Sequence, residues 1–393
     1  MPLRIPSERQ VVKYLEDLLQ KKNIRINYFG PLDQYSKNAE MKGGSKKSGG
    51  RVKQSGQSIK TLGYGIPYLV VYEVGSSRRE SIISTLRMGR GFGHDYRADR
   101  VDNIVLSYDT WNSLPRHCRV EDFGAFSKKD SSMLSLGKSG EFFLLRRKIE
   151  GVEYYKDLDR VFSSEKLEER DLPRAQALAS YLSRIHSKKN PKPEDAQLYF
   201  RKIRDTVGHG ECIFGLADTY PSSTEEYLHP GELEEIEKKC VAQRWRLRKY
   251  ASTRLSQVHG DFHPWNILFA SERSTTFRLL DRSRGEWGEP ADDVCALSIN
   301  YIFYSLRKYG SLKGAYEKLF QGFLDTYLQR TNDGVILEAM PLFYTFRALV
   351  IASPLWYPSI SSEIRRQIFN FVHNILDSAK FEPSRVNDYF QKR

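Results

Sequence analysis

The chain has 393 residues, 40% of them hydrophobic and 28% charged, with a formal net charge of +13. That length can bury a sizeable core and suggests about two domains. Its longest apolar runs, such as "PYLVVYEV" and "ALVIASPLW", fall well short of the roughly twenty residues that span a bilayer, and the first ten residues lack the apolar segment of a signal peptide. No membrane partner is therefore expected, and the cytoplasm is the expected compartment. Cys118, Cys212, Cys240 and Cys295 lie far apart with no CxxC pair, which argues against a disulfide framework or a zinc site and predicts reduced, mostly buried thiols. The positive charge favours polyanions, but much of it is concentrated in "KGGSKKSGGRVKQSGQSIK", residues 42–60. That run has neither interleaved aromatics nor a helix-turn-helix pattern. Nucleic acid is not the expected partner, since a phosphorylated cofactor explains the same charge.

In chain order, "SERQVVKYLEDLLQKK" opens with Ser7 and Gln10 in capping-box spacing and puts Val11, Leu15, Leu18 and Leu19 on one helical face. From residue 66 to about 150 the pattern turns to short β-rich runs, "PYLVVYEV", "SIISTLR" and "EFFLLRRKI". One charged helical segment, "YRADRVDNIVLSYDTWNSL", interrupts them. After Gly151 the signal is helical, as in "RAQALASYLSRIHSKK", "LEEIEKKCVAQRWRLRK", "VCALSINYIFYSLRKYG" and "EIRRQIFNFVHNILDSA". The reading is an α+β chain: a strand-rich lobe over residues 1–150 and a larger helical lobe over residues 151–393. In "QRWRLRK" a solvated helix face with a buried Trp245 is expected, and His186, in "YLSRIHS", should be packed rather than reactive. His94 and His209 also read as structural histidines, with a place in the lining of the substrate pocket as the alternative.

The segment "QVHGDFHPWNILF", residues 257–269, sets His259, Asp261 and Asn266 in a turn before a short apolar strand, and "TFRLLD" closes a second strand with Asp281. An Asp-x4-Asn pair with a further Asp twenty residues after the first suits phosphoryl transfer. One carboxylate orients a substrate hydroxyl and accepts its proton, while an amide and a second carboxylate hold Mg²⁺ against nucleotide phosphates. The bland alternative is turn chemistry, because Asp and Asn favour turns; the joint spacing and flanking strands favour function.

These residues resemble the aminoglycoside phosphotransferase and choline kinase group of small-molecule kinases, relatives of the protein kinases. The family's catalytic loop, H-G-D-x-x-x-x-N, is matched by His259, Gly260, Asp261 and Asn266, and its G-D-P-x-x-D element by Gly288, Pro290 and Asp293 in "GEPADDV". The likeness runs through most of the chain and is strongest from Leu255 to Leu297. It implies a protein-kinase-like two-lobe fold and transfer of the γ-phosphoryl group of ATP, with Mg²⁺, to a small hydroxylated molecule. Asp261 would be the catalytic base, Asn266 and Asp281 the metal ligands, and His259 and Asp293 braces of the loop. The backbone of Arg147 and Ile149 would meet the adenine at a hinge after the strand "FFLLRRKI". Arg87, standing where many relatives carry a lysine, would clamp phosphates and pair with Asp99, or with Asp102. The phosphate-covering loop would be "LGYGIP", with Gly63 and Gly65, or the basic run before it. Arg282 departs from the family's aromatic residue after the second metal acid. For the acceptor, an aminoglycoside would want acids such as Glu211, Asp218, Glu286 and Glu289, whereas the chain's positive charge opposes a cation. Choline, homoserine and sugars are alternatives, and a catalytically silent nucleotide-binding relative is another.

Overall fold

The structure, a computed structural model, describes residues 5–32, 34–35, 65–86, 93–113, 118–142, 144–190, 196–224 and 226–392. The basic 42–60 run, Gly63 and Arg87 lie outside the described residues. Two compact units divide the chain, Met1–Arg146 and Arg147–Arg393.

In the first unit, helix α1 (Glu8–Leu19) starts at Ser7, whose backbone N–H donates to Gln10 Oε1 at 2.8 Å, one half of the capping box. Strands β1 (Arg25–Pro31), β2 (Gly65–Val74) and β3 (Ser77–Leu86) form an antiparallel sheet with β2 in the centre. Phe29 stands opposite Val70, and Val70 opposite Ser81. Being central, β2 buries the whole run Leu69–Tyr72. Val70 and Tyr72 form the unit's core with Val11, Leu15 and Ile24. Helix α2 (Arg97–Trp111) and a short hairpin, β4 (Gly124–Phe126) with β5 (Met133–Ser135), are the other elements among the unit's described residues.

The expected strand "FFLLRRKI" does not form. Its described residues are irregular and pair with no strand, and Leu144 and Leu145 are 87% and 94% exposed. The sequence shows β-branched or bulky apolar character there, but a strand needs a neighbour to take its backbone hydrogen bonds.

The second unit is helical, with two small sheets set into it. Strands β6 (Val152–Glu153), β8 (Ile267–Phe269) and β9 (Phe277–Leu279) form one antiparallel sheet, with β8 in the centre. Strands β7 (Ser256–Gln257) and β10 (Trp287–Gly288) pair as the other. Around them lie α3 (Tyr154–Ser164), α4 (Asp171–His186), α5 (Ala196–Gly208), α6 (Ile213–Ala217), α7 (Glu232–Leu247), α8 (Pro290–Tyr309), α9 (Gly314–Thr331), α10 (Ile336–Ala352) and α11 (Ser362–Asp377). Helix α8 is buried almost all round, from Pro290 to Leu306, and packs on both α9 and α10. A helix apolar on every face belongs in the middle of a core.

Arg174 on α4 is wholly buried, donating to the Asp157 carboxylate and to the carbonyls of Ser271, Glu272 and Ser274. It thereby fixes the turn between β8 and β9. Cys212, Cys240 and Cys295 are buried free thiols, and Cys118 is exposed. Trp245 corrects the sequence reading: it is 59% exposed on α7, flanked by the guanidinium groups of Arg244 and Arg248 at 5.1 and 4.7 Å from its ring. The helix pattern places the apolar face on Ile236, Cys240, Gln243 and Leu247, and Trp245 falls off it. Among the described residues no helix is long and apolar enough to cross a membrane.

Candidate active site

The loop between β7 and β8 carries the motif, and the start of α8 holds it in place. Asp293, in the first turn of α8 and fully buried, accepts the backbone N–H of His259 (Oδ2, 2.7 Å) and of Gly260 (Oδ1, 2.7 Å). His186, at the end of α4, lies with Nε2 at 3.1 Å from Asp293 Oδ2 and Nδ1 at 2.9 Å from the Tyr327 hydroxyl. Burial alone would raise the Asp293 pKa, but the bonds and charge of His186 and His259 more than offset it and keep the carboxyl below its ordinary range. A buried carboxylate with three such contacts is a brace.

His259 closes the loop from the other side. Its Nε2 is 2.9 Å from the Leu280 carbonyl and its Nδ1 accepts the Asp261 N–H at 3.3 Å, which assigns the proton to Nε2. Gly260 turns the chain at φ +92°, and a Cβ there would stand 2.9 Å from Arg284 Cβ. Glycine is the residue that meets both demands.

Asp261 therefore leaves the turn with its carboxylate held at both oxygens. Arg347 Nη1 donates to Oδ1 at 2.6 Å, and His263 Nε2 lies 3.3 Å from Oδ2. Burial raises the Asp261 pKa, whereas the His263 bond and the Arg347 charge lower it by more, so the carboxyl is held well below its usual range. It is ionised at neutral pH. Arg347 Nη2 also donates to Asp292 Oδ1 at 2.7 Å, and reaches the Gly260 carbonyl at 3.3 Å. Burial pushes the Asp292 pKa up against that charge.

Asn266 Nδ2 donates to the Asp261 carbonyl at 3.0 Å, and its backbone carbonyl accepts from Leu280 N at 2.9 Å. Ile267 and Leu279 pair across β8 and β9. The two-strand ladder therefore sets Asn266 opposite Leu280, one residue before Asp281. Asp281 sits at φ +59°, a left-handed conformation that Asp tolerates, with Oδ1 accepting from Ser283 N at 2.8 Å. Asn266 Oδ1 accepts no hydrogen bond among the described residues. An amide oxygen and an exposed carboxylate on adjacent strand ends suit a hard divalent cation that keeps waters and phosphate oxygens as its other ligands. No group of three or more His, Cys, Asp or Glu side chains forms a closed metal cage among the described residues.

The structure uses several other candidates differently. Arg282 donates to the Val258 carbonyl at 2.5 Å and tightens the loop from beneath. Glu289 is no acceptor-pocket acid: it is 1% exposed, caps α8 through Ala291 N, and is bound by Arg254 at 2.5 and 2.7 Å and by the Tyr199 hydroxyl at 2.8 Å. Glu211, Asp218 and Glu286 are exposed. Asp99 Oδ2 accepts the Tyr96 N–H at 2.7 Å, capping α2. Arg147 and Ile149 lie in irregular chain at the start of the second unit, not after a strand. His263, Asp292 and Arg347 are the site residues the sequence reading missed. Their signals were a second histidine inside the motif, an acid doublet where one acid sufficed, and a lone arginine in the apolar run "LFYTFRALVIA".

The chain is thus α+β, with a strand-bearing unit followed by a helical unit that carries a braced Asp-x4-Asn loop. Solved structures similar to it include an amicoumacin kinase in complex with AMP-PNP and Ca²⁺, at 15% identity over 81% of this chain and 89% of that one, with a TM-score of 0.40. A choline kinase from Streptococcus pneumoniae is 12% identical over 94% and 98% of the two chains, at 0.33. An ADP-bound aminoglycoside phosphotransferase is 12% identical over 94% and 97%, at 0.32. No family model matches the chain, and no curated protein matches it. Likenesses of this extent leave the reading of the site to its own geometry.

Proposed function

We propose that the protein is an ATP-dependent O-phosphotransferase acting on a hydroxyl of a small molecule, with a protein-kinase-like organisation. The observation that carries this reading is Asp261: an ionised carboxylate in a doubly braced turn, next to an amide oxygen and a second carboxylate presented from adjoining strand ends. Turn chemistry alone requires none of the buried bracing by Asp293, His186 and Arg347.

Asp261 accepts a hydrogen bond from the acceptor hydroxyl and aligns its oxygen with the γ-phosphorus. As the new P–O bond forms, the bond from the γ-phosphorus to the β–γ bridging oxygen breaks, ADP departs, and the hydroxyl proton passes to the Asp261 carboxylate. A carboxylate held this far into its ionised range is a weak base, so its main work is orientation, with the proton transferred late in a loose transition state. Asn266 Oδ1 and Asp281 would hold Mg²⁺, which when bound neutralises charge on the nucleotide phosphates. The Arg347 guanidinium keeps Asp261 aimed and charged through the approach.

The test is calorimetric binding of Mg-ATP to the wild type, Asp281→Asn and Asp261→Asn, with coupled ADP release over a panel of alcohols. The expected result is magnesium-dependent binding that Asp281→Asn weakens at least tenfold and Asp261→Asn leaves intact, while Asp261→Asn lowers turnover by about 10²–10⁴-fold. No binding of Mg-ATP to the wild type refutes the reading.

A further inference from the structure

Around Asp261, on the side formed by α5, α6 and α10, the buried carboxylates are already taken. Asp261 and Asp292 share the Arg347 guanidinium, Asp293 holds the loop amides and His186, and Glu289 is enclosed by Arg254. A cationic acceptor would have to displace a buried guanidinium to reach them. Arg284 is in a different position. Arg284 makes no ion pair with a carboxylate among the described residues; its Nη1 reaches only the Cys212 sulfur, at 3.4 Å. Its guanidinium carbon lies 5.2 Å from the Phe346 ring centroid, and that of Arg347 lies 4.6 Å from the same centroid. Two guanidinium groups therefore share one aromatic ring, where their mutual repulsion is unfavourable. Lys202 on α5 adds a third positive charge to this face, donating to the Arg284 carbonyl at 2.5 Å, and burial holds its ammonium below the ordinary lysine range.

A second observation points the same way. Arg347 is only 8% exposed, yet its Nε–H has no hydrogen-bond partner among the described residues. A buried donor left unused is costly and calls for an acceptor. The Arg284 Cβ packs close to Gly260, so the side chain sets out from beside the turn that carries Asp261.

We infer that the acceptor carries an anionic group, a carboxylate or a phosphate, beside its reacting hydroxyl, and that Arg284 binds this group on the Phe346 face with Lys202 and Arg347 supplying further charge. This rests on the phosphotransferase reading for the role of the hydroxyl, but not for the anion site itself. Planar, forked guanidinium groups match both oxyanions in two-point geometry. The arrangement selects against choline-like and aminoglycoside-like cations.

The experiment has two arms that fail separately. Without nucleotide, calorimetry measures binding of glycerol 3-phosphate, glycerate, glycerol and choline to the wild type, Arg284→Ala and Arg284→Lys, with thermal melts as the folding control. At least one of the two anions should bind, glycerol and choline should not, Arg284→Ala should weaken the anion tenfold or more, and Arg284→Lys should restore part of it. Which anion binds decides between carboxylate and phosphate. With Mg-ATP, ADP release should favour that anionic alcohol over glycerol at least tenfold. Absence of anion binding, equal binding by folded Arg284→Ala, or preferred turnover of choline overturns the inference. So does a loss of Mg-ATP affinity in Arg284→Ala, which would put Arg284 on the nucleotide. Failure of Mg-ATP to bind the wild type would instead sink the phosphotransferase reading, with the nucleotide-free arm still deciding the anion site.

Discussion

Removing the Arg347 guanidinium by Arg347→Ala leaves Asp292 without its ion-pair partner and Asp261 without one of its two anchors. Two ion pairs of 2.6 and 2.7 Å are lost together, with the bond to the Gly260 carbonyl at 3.3 Å. At an effective dielectric of about 20 each pair is worth about 4 kcal/mol before desolvation, and the desolvation of the guanidinium, now avoided, returns much of it. The net cost of breaking a buried pair from one side is about 3–5 kcal/mol. For a domain of this size that lowers Tm by about 6–20 °C. Most of the penalty comes from stranded Asp292, so adding Asp292→Asn to Arg347→Ala should recover about 1–3 kcal/mol, read as the coupling in a double-mutant cycle by urea denaturation. Turnover reports the same pair. With Arg347 gone the Asp261 pKa rises towards the ordinary carboxylate value, so the acid limb of the pH–rate profile, which follows loss of the ionised form, moves to higher pH. A variant within about 1 kcal/mol of wild type, or single-mutant effects that simply add, would refute the argument that this guanidinium is shared between two buried acids.

Gly260→Ala must place a Cβ at φ +92° and against Arg284, so it should cost about 1–3 kcal/mol in thermal denaturation and reduce turnover by more than the stability loss explains. Wild-type stability with normal turnover would mean that the turn has another conformation. Far from the loop, Glu232 is held at a pKa of about 2 although burial opposes it, because His373, Arg366 and the His229 N–H bind the ionised form. Its folded value lies below its unfolded one, so the stability it contributes is present above about pH 4.5 and is lost as pH falls towards 2. That contribution is up to about 3 kcal/mol. Glu232→Gln should therefore destabilise at neutral pH and flatten the acid transition between those values, and an unchanged acid limb in circular dichroism would count against it.

What could be read from residues alone was local. His259, Asp261 and Asn266 announce themselves because polar side chains at fixed spacing interrupt an apolar stretch, and β8 and β9 follow from the short apolar runs beside them. The resemblance implied that Asp293 braces the loop, and in the structure two consecutive amides of a tight turn converge on its carboxylate. Arg347 is 86 residues from the acid it binds, and no periodicity links them. A charge inside an apolar helix signals that a partner exists without saying where. Trp245 illustrates the reverse error, because an aromatic residue read by composition belongs in a core while its phase on α7 turns it outward. The irregular chain over 144–150 shows that strand propensity without a pairing neighbour decides nothing.

Asp292 and Asp293 are neighbours in sequence with separate clients: the first meets Arg347 from α10, the second meets the motif loop and His186 from α4. The opening turn of α8 is therefore a junction where three elements are tied within one peptide unit. On the phosphotransferase reading proposed above, any redesign of the α10 face for a different alcohol moves the residue that sets the ionisation of Asp261, so selectivity and reactivity share a single adjustment. On the same reading, a variant library that holds Phe346, Arg347, Asp292 and Asp293 constant while varying Arg284 and Lys202 changes the charge beside the acceptor with that shared adjustment left in place.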